Sequence, residues 1–380
     1  MEIEIKNLKY ENNFRSIKNI KKKEGKYIFI DGKKMLNLSS NDYLGLGNDE
    51  NIKKEFFETY YKDYSFSSSS SRLLTGNEQI YFDLENNLVK LFGKEKALIF
   101  NSGYAANVGI LSSIVGKKDL VILDKLDHAS IIDGVKLSEA RFLRYNHLNY
   151  EQLENFILKE RNNYGKTVIV SESLFSMDGD FADINKLIEL KKKYGCLLMI
   201  DESHSFGVYG ENGAGYCAVK QQLENVDIIM SGLGKACGSI GAFCVGSKTV
   251  IDYIINKARS FIFSTALPPI NVAWSNYIIE NIFPEYQEKQ QYLISLSKKF
   301  KKELENIGIF NSSESFIIPI ILDNEKQLEN IQSKLINNNY YLLPIRYPTV
   351  PKNSPRFRIS LTANIEWSDL TLLLHILDNK

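Results

Sequence analysis

A lysine among small residues, Lys235 in SGLGKACGS (231–239), follows directly on the apolar run DIIM (227–230). An amine placed there can form a Schiff base with a carbonyl. To do so it must shed the proton that an unperturbed pKa of ~10.4 would keep near neutral pH, through burial or a preformed imine. Gly232, Gly234 and Gly238 are expected to let the backbone turn tightly and leave room for a flat ring beside the amine. A solvated lysine in a glycine loop would carry the same letters. DESHSFGVYG (201–210) puts Asp201 at the end of the run CLLMI, with His204 three residues later. A buried carboxylate can keep a heteroaromatic nitrogen protonated, and an imidazole can bond a ring hydroxyl. A satisfied Asp/His pair fits that stretch equally well, whereas a metal site is disfavoured because Asp201, His204 and His128 lack HExxH spacing.

Two more stretches join these. DKLDHASIIDG (124–134) sets His128 just past another strand end, where an imidazole can cover a flat ring or serve as an ordinary loop residue. NSGYAANVGILSSIV (101–115) opens a helix on Gly103 and Tyr104 immediately after a strand. Free N–H groups and the positive end of the helix dipole suit a phosphate there, although a plain glycine cap looks the same. A lysine, a carboxylate for a ring nitrogen, a histidine and a phosphate-ready helix start together compose one cofactor, pyridoxal 5′-phosphate. No GxSxG elbow, GxGxxG loop or GxxxxGK[ST] loop points elsewhere.

The elements that must position these residues are legible as apolar, β-rich runs between helical segments: ALIF (97–100), LVILD (120–124), TVIVSES (167–173), CLLMIDES (196–203), DIIM and GAFCVG (241–246). Continuous apolar runs imply a mainly parallel sheet covered on both faces, hence a large α/β domain with ligands at the carboxyl ends of its strands. A polar helical arm and a hairpin, KYIFIDGKKML (26–36), precede it. The serine run 66–77 reads as an ordered loop between helices. A long helical pattern over roughly 270–306 leads to a smaller α+β unit. The expected partition is an arm over 1–45, a large domain over 46–270 and a small domain over 271–380.

Lys+Arg 47 against Asp+Glu 46 gives a net charge of +1, which removes the global basic field that nucleic acid would ask for. No apolar stretch approaches the ~18 residues of a membrane span, and MEIEIKNLKYENN lacks the apolar core of a signal peptide. Cys196, Cys217, Cys237 and Cys244 show no CxxC spacing, so reduced thiols, a cytoplasmic location and no membrane anchor are expected.

SSNDYLGL, SRLLTGN, FNSGYAAN, DHASIIDG, SESLFSMDGD, IDESHSFGVYG, GLGKACGSIGAF, FIFSTALPP and PRFRISLTA occur in that order through nearly the whole chain. In this the sequence resembles the fold-type I pyridoxal-phosphate α-oxoamine synthases, which condense an amino acid with an acyl thioester and release CO2. FIFSTALPP and IRYPTVP (345–351) are most similar to the biotin-pathway member, which joins L-alanine to a pimeloyl thioester carried on CoA or acyl carrier protein. A sister enzyme that transfers acetyl to glycine, or a non-catalytic subunit of the same fold, are the alternatives. The resemblance implies Lys235 as the Schiff-base lysine and acid/base at the substrate Cα, Asp201 as partner of the pyridine nitrogen, and His128 as the ring-stacking residue, with Lys235 or His128 returning the proton. It implies His204 and Ser176 near the ring oxygen, and backbone N–H groups of Gly103 and Tyr104 near the cofactor. Asn41 and Arg358 would hold the amino-acid carboxylate, Arg15 would meet the acyl substrate, and Thr349 would line the substrate site. It also implies a homodimer whose site lies at the subunit interface. Gly232 stands where the family usually has a phosphate-binding threonine, with Ser231 or Thr265 as expected substitutes, and Asn364 and Ile365 stand where a histidine often follows LTA.

Overall fold

The computed structural model describes residues 1–380 except 11–13, 61–62, 348, 351–353 and 379–380. They form two compact units, one of Asp49–Ser176 and Phe181–Gln290, the other of Met1–Asn48, Met177–Asp180 and Gln291–Lys380. The expected boundaries at 45/46 and 270/271 therefore shift. The N-terminal residues are no separate unit, because the strand Lys33–Asn37 pairs in parallel with Tyr340–Tyr341 and Ser360 donates its N–H to the Leu38 carbonyl. The larger unit runs on to Gln290. Its helix Pro269–Tyr277 is tied to helix Gln79–Phe92, with Asn87 Nδ2 on Asn276 Oδ1 at 2.9 Å and the Tyr81 hydroxyl on the Leu267 carbonyl at 2.7 Å.

The larger unit is built on seven strands: β1 (Lys96–Phe100), β2 (Leu120–Asp124), β3 (Arg141–Tyr145), β4 (Thr167–Glu172), β5 (Leu197–Asp201), β6 (Ile228–Gly232) and β7 (Ala242–Gly246). Their order is β1-β7-β6-β5-β4-β2-β3, and only β7 runs antiparallel to its neighbours. Strands covered on both faces must be apolar on both, which is why LVILD and TVIV read as unbroken hydrophobic runs and are wholly buried. RFLRY (141–145) lacks the unbroken apolar pattern because it is the sheet's edge, with Arg141 and Arg144 both exposed. One face is filled by α1 (Gly103–Ile114) and α2 (Ala129–Ser138), with Ile110, Leu111 and Val135 packed among Val121, Leu123, Val168, Val170, Met199 and Met230. The serine run is ordered: Ser68 Oγ donates to the Leu267 carbonyl at 2.5 Å and Ser71 bridges to Thr265.

In the smaller unit, the hairpin Tyr27–Ile30/Lys33–Asn37 turns on Asp31 (φ 49°) and Gly32 (φ 76°), the paired positive φ of a type I′ turn. Ile20–Glu24 adds an unforeseen outer strand. A second sheet places Arg356–Ser360 between Ile317–Ile321 and Pro344–Ile345. The helical pattern expected over 270–306 is broken by a π turn, Ile278–Ile282, and a 3-10 turn at Pro284, which cannot continue the hydrogen-bond ladder, before Gln287–Asn306 resumes. Among the described residues no helix is long and apolar enough to cross a membrane. The four cysteines are buried and unbridged.

Candidate active site

The carboxyl ends of β2, β4, β5 and β6 deliver the polar residues. Asp201 ends β5 almost fully buried, and its two oxygens are already committed: Oδ1 accepts the N–H of Ser203 at 2.9 Å and Oδ2 accepts Asn107 Nδ2 of α1 at 2.9 Å. The same Asn107 nitrogen donates to Ser130 Oγ at 3.0 Å, and Ser130 Oγ lies 2.7 Å from Nδ1 of His128. A continuous chain of contacts thus runs from His128 through Ser130 and Asn107 to Asp201. His128 is the N-cap of α2, and its Nδ1 also receives the Ser130 N–H at 3.2 Å. Two donors at Nδ1 assign that atom as an acceptor, so the ring is neutral with its proton on Nε2. The surrounding protein lowers the His128 pKa by desolvation, with Lys235 adding to the effect and Asp201 opposing it.

His128 is presented by a turn that Asp127 pins. The Asp127 carboxylate accepts the N–H of Asp124 at 2.9 Å through one oxygen and that of Glu172 at 3.0 Å through the other, joining the ends of β2 and β4. Its own pKa is pushed well up, by burial first and then by Asp124 and Glu172. Asp124 in turn accepts His147 Nδ1 at 2.9 Å. Glu202, fully buried, accepts the hydroxyl of Ser173 at 2.7 Å and the N–H groups of Tyr216 and Cys217 at 2.9 and 2.7 Å, anchoring the turn that carries His204.

Lys235 is half-buried in a loop closed by Leu233 N–H on the Gly241 carbonyl at 2.9 Å and capped by Trp274 Nε1 on the Gly238 carbonyl at 3.1 Å. Its charge is felt at both His128 and Glu172, which puts Lys235 within electrostatic reach of the Asp201 cluster. Of the three glycines expected to turn the backbone, only Gly238 (φ 59°) is left-handed, since Gly232 is the last residue of β6. A Cβ at Gly232 would meet nothing closer than Ser203 Oγ at 3.4 Å. Ser231 does not share the Gly232 face. Ile228 and Met230 pack in the α1 cluster, so strand alternation turns Ser231 to the opposite face, where its buried hydroxyl has no hydrogen-bond partner among the described residues. Thr265 is exposed, and its carbonyl accepts Asn101 Nδ2 of the same chain at 2.5 Å. His204 is buried and Ser176 half-buried.

Gly103 and Tyr104 occupy the first turn of α1, which Ser102 caps by accepting the Ala105 N–H at 3.1 Å. N–H groups at these two positions have no carbonyl one turn earlier to bond. The Tyr104 ring is exposed and its hydroxyl donates to Asp133 at 2.6 Å.

In the smaller unit Arg358 is buried in the middle strand of its sheet. Its guanidinium donates to Asn41 Oδ1 at 3.1 Å, Ser360 Oγ at 2.5 Å and the Tyr43 hydroxyl at 3.2 Å. Asn41 and Arg358, expected to act on one carboxylate, are thus in contact. Arg15 and Thr349, both exposed, also meet, with an Arg15 guanidinium nitrogen 3.4 Å from Thr349 Oγ1. Asn364 has a packing role: a Cβ on Gly45 (φ 74°) would come within 2.0 Å of its side-chain nitrogen.

Asn107, Ser130 and Glu172 were not singled out from the sequence. The available signal was an asparagine in the otherwise apolar helix GYAANVGIL and a glutamate closing an apolar strand. The donor set fits pyridoxal phosphate. It offers an amine for the aldehyde, an oriented carboxylate for the ring nitrogen, a helix N-terminus for the phosphate, and one buried carboxyl oxygen, Glu172 Oε1, that no group among the described residues satisfies.

Residues 33–377 match the model of the aminotransferase class I and II family. Proteins curated as "Putative 8-amino-7-oxononanoate synthase" are 45% identical over 365 residues in Haemophilus influenzae and 44% identical over 364 residues in Neisseria gonorrhoeae, each match covering 95% of both chains. Among solved structures, serine palmitoyltransferase from S. paucimobilis, with a bound pyridoxal-phosphate–myriocin aldimine, superposes with a TM-score of 0.90 at 25% identity, covering 100% of this chain and 96% of that one. The 8-amino-7-oxononanoate synthase of Francisella tularensis superposes with a TM-score of 0.78 at 29% identity, covering 91% and 97%. With this match along nearly its entire length and the fold to go with it, the chain belongs to the aminotransferase class I and II family and, within it, to the pyridoxal-phosphate-dependent α-oxoamine synthases.

Proposed function

We propose that this enzyme binds pyridoxal 5′-phosphate and condenses L-alanine with a pimeloyl thioester, releasing CO2 and 8-amino-7-oxononanoate. The observation that carries this is the 45% identity, over 95% of both chains, to relatives bearing that name. When bound, the cofactor supplies an electron-withdrawing ring that acidifies the amino-acid Cα–H. The chain's own residues do the rest. Asp201, fixed by Asn107 and the Ser203 N–H, would accept from the ring nitrogen. Neutral His128, fixed by Ser130, would cover the ring's face. The Lys235 amine would hold the cofactor through its aldehyde and would serve as the acid/base that removes and returns the proton at Cα. Arg358, whose planar fork is set by Asn41, Tyr43 and Ser360, takes the substrate carboxylate. A carbon–carbon bond forms from Cα to the acyl carbon, the thiol leaves, and the carboxyl departs as CO2. Arg15, which contacts Thr349, would meet the acyl substrate, and Thr349 would line the substrate site.

The active enzyme is a cytoplasmic homodimer in this proposal, with Thr265 offered to the partner's phosphate site. Gly232 leaves that donor more important, because Ser231 faces away. The high TM-score to serine palmitoyltransferase favours a second reading, a sister enzyme with another amino acid and acyl chain. Turnover of the purified protein with alanine, glycine and serine against pimeloyl, acetyl and palmitoyl thioesters decides between them. Alanine with the pimeloyl thioester is expected to give the highest kcat/KM. A preference for another pair transfers the assignment to that sister reaction.

A further inference from the structure

Among the buried acids at these strand ends, Glu172 stands beside Asp201 itself. Glu172 ends β4, in register with Asp201 at the end of the neighbouring parallel strand β5. Register partners on adjacent parallel strands send their side chains to the same face, roughly 5 Å apart. Glu172 is 3% exposed, and its Oε1 has no hydrogen-bond partner among the described residues. Its carboxyl accepts the backbone N–H of His128, while its own N–H is held by Asp127. The groups that face it are Asp201 from β5, Lys235 from the loop after β6, the His128 turn with its buried Asp127, and Asp124 from β2.

Two carboxyls this close, both out of water, do not both ionise readily. Asp201 has two donors, from Ser203 and Asn107, that favour its anion. Glu172 has one donor and an unsatisfied oxygen, so the shared proton belongs on Glu172. We propose that Glu172 is a further positioning residue of the cofactor site, holding the one proton of the Glu172/Asp201 pair so that Asp201 meets the ring nitrogen as the anion. In keeping with this, burial and the charge of Asp201 raise the Glu172 pKa to about 8.

The inference rests on Lys235 and Asp201 holding the cofactor, and the test separates the two. The holoenzyme is titrated by its visible absorbance, with Lys235→Ala as the control that abolishes the band. In the wild type, raising the pH past about 8 ionises Glu172 and places a second negative charge near the nitrogen linked to Lys235. That anion favours the protonated linkage and holds the band's midpoint high. Glu172→Gln stays neutral at every pH, so its midpoint should fall by roughly one pH unit, while one cofactor per chain is retained. A merely structural role would leave the midpoint where it is. An unmoved midpoint in a folded, cofactor-loaded Glu172→Gln protein overturns the proposal. A wild-type band that survives Lys235→Ala overturns the site assignment beneath it. A second measurement needs no variant: the infrared carbonyl band of a protonated carboxyl should disappear in the wild-type holoenzyme between about pH 7 and about pH 9, and absence of any such change also overturns it.

Discussion

Replacing Ser130 by alanine tests the chain of contacts that orients His128. The hydroxyl sits 2.7 Å from His128 Nδ1 and simultaneously accepts Asn107 Nδ2 at 3.0 Å, so its own proton is directed at the imidazole. Such a bond exists only while Nδ1 is unprotonated. Removing it withdraws about 0.5–1.5 kcal/mol from the neutral ring, and 1.36 kcal/mol corresponds to about one pKa unit. His128 is exposed, so solvent screening selects the lower part of that range, and an upward shift of about half a unit is expected. The Ser130 N–H, 3.2 Å from the same atom, remains and keeps the shift from being larger. The assay is a pH titration of the histidine Cε1–H resonances by NMR; with only four histidines, a His128→Ala spectrum assigns the signal. The sign extends to stability. A folded-state pKa below the ordinary value means that His128 contributes stability present above that ordinary value and lost as pH falls through the folded one. Ser130→Ala should therefore shrink the stability difference between about pH 8 and about pH 5. A His128 midpoint that is unchanged, or that falls, refutes the tautomer and the chain of contacts together.

Arg358→Lys replaces a fork held by Asn41, Tyr43 and Ser360 with a single ammonium, and should raise the KM for the amino acid about 10-fold or more with little change in cofactor binding; an unaltered KM removes Arg358 from the carboxylate. Arg15→Ala should raise the KM for the acyl thioester several-fold while leaving amino-acid binding unchanged, since it removes binding rather than chemistry; steady-state kinetics with thioester varied would expose the contrary. Gly45→Ala should cost about 1–2 kcal/mol in urea unfolding, because the position has φ 74° and a Cβ would collide with Asn364; a midpoint equal to wild type contradicts the left-handed backbone.

The parts of this site that were legible in the sequence are those whose neighbours in the chain explain them. Lys235 stands out because an apolar strand and a glycine-rich turn flank it, and Asp201 because CLLMI must be buried and an acid closes it. Apolar runs reveal the central strands for the same reason, while the edge strand Arg141–Tyr145, half wet, blends into its surroundings. Asn107 and Ser130 are different. Asn107 lies 94 residues from Asp201 and 23 from Ser130, and its purpose appears only when α1 and α2 are laid on the same face of the sheet. Local spacing carries no trace of that. Ser231 shows the converse error, since adjacency to Gly232 suggested it as a substitute hydroxyl, yet a strand's period of two sends consecutive side chains to opposite faces. The Gly232 hydroxyl gap cannot then be filled from within β6. Any hydroxyl that replaces it must come from another element on the α1 face, and the exposed Thr265, whose carbonyl is held by Asn101 beside the start of α1, is the residue that the proposed dimer would bring to that task.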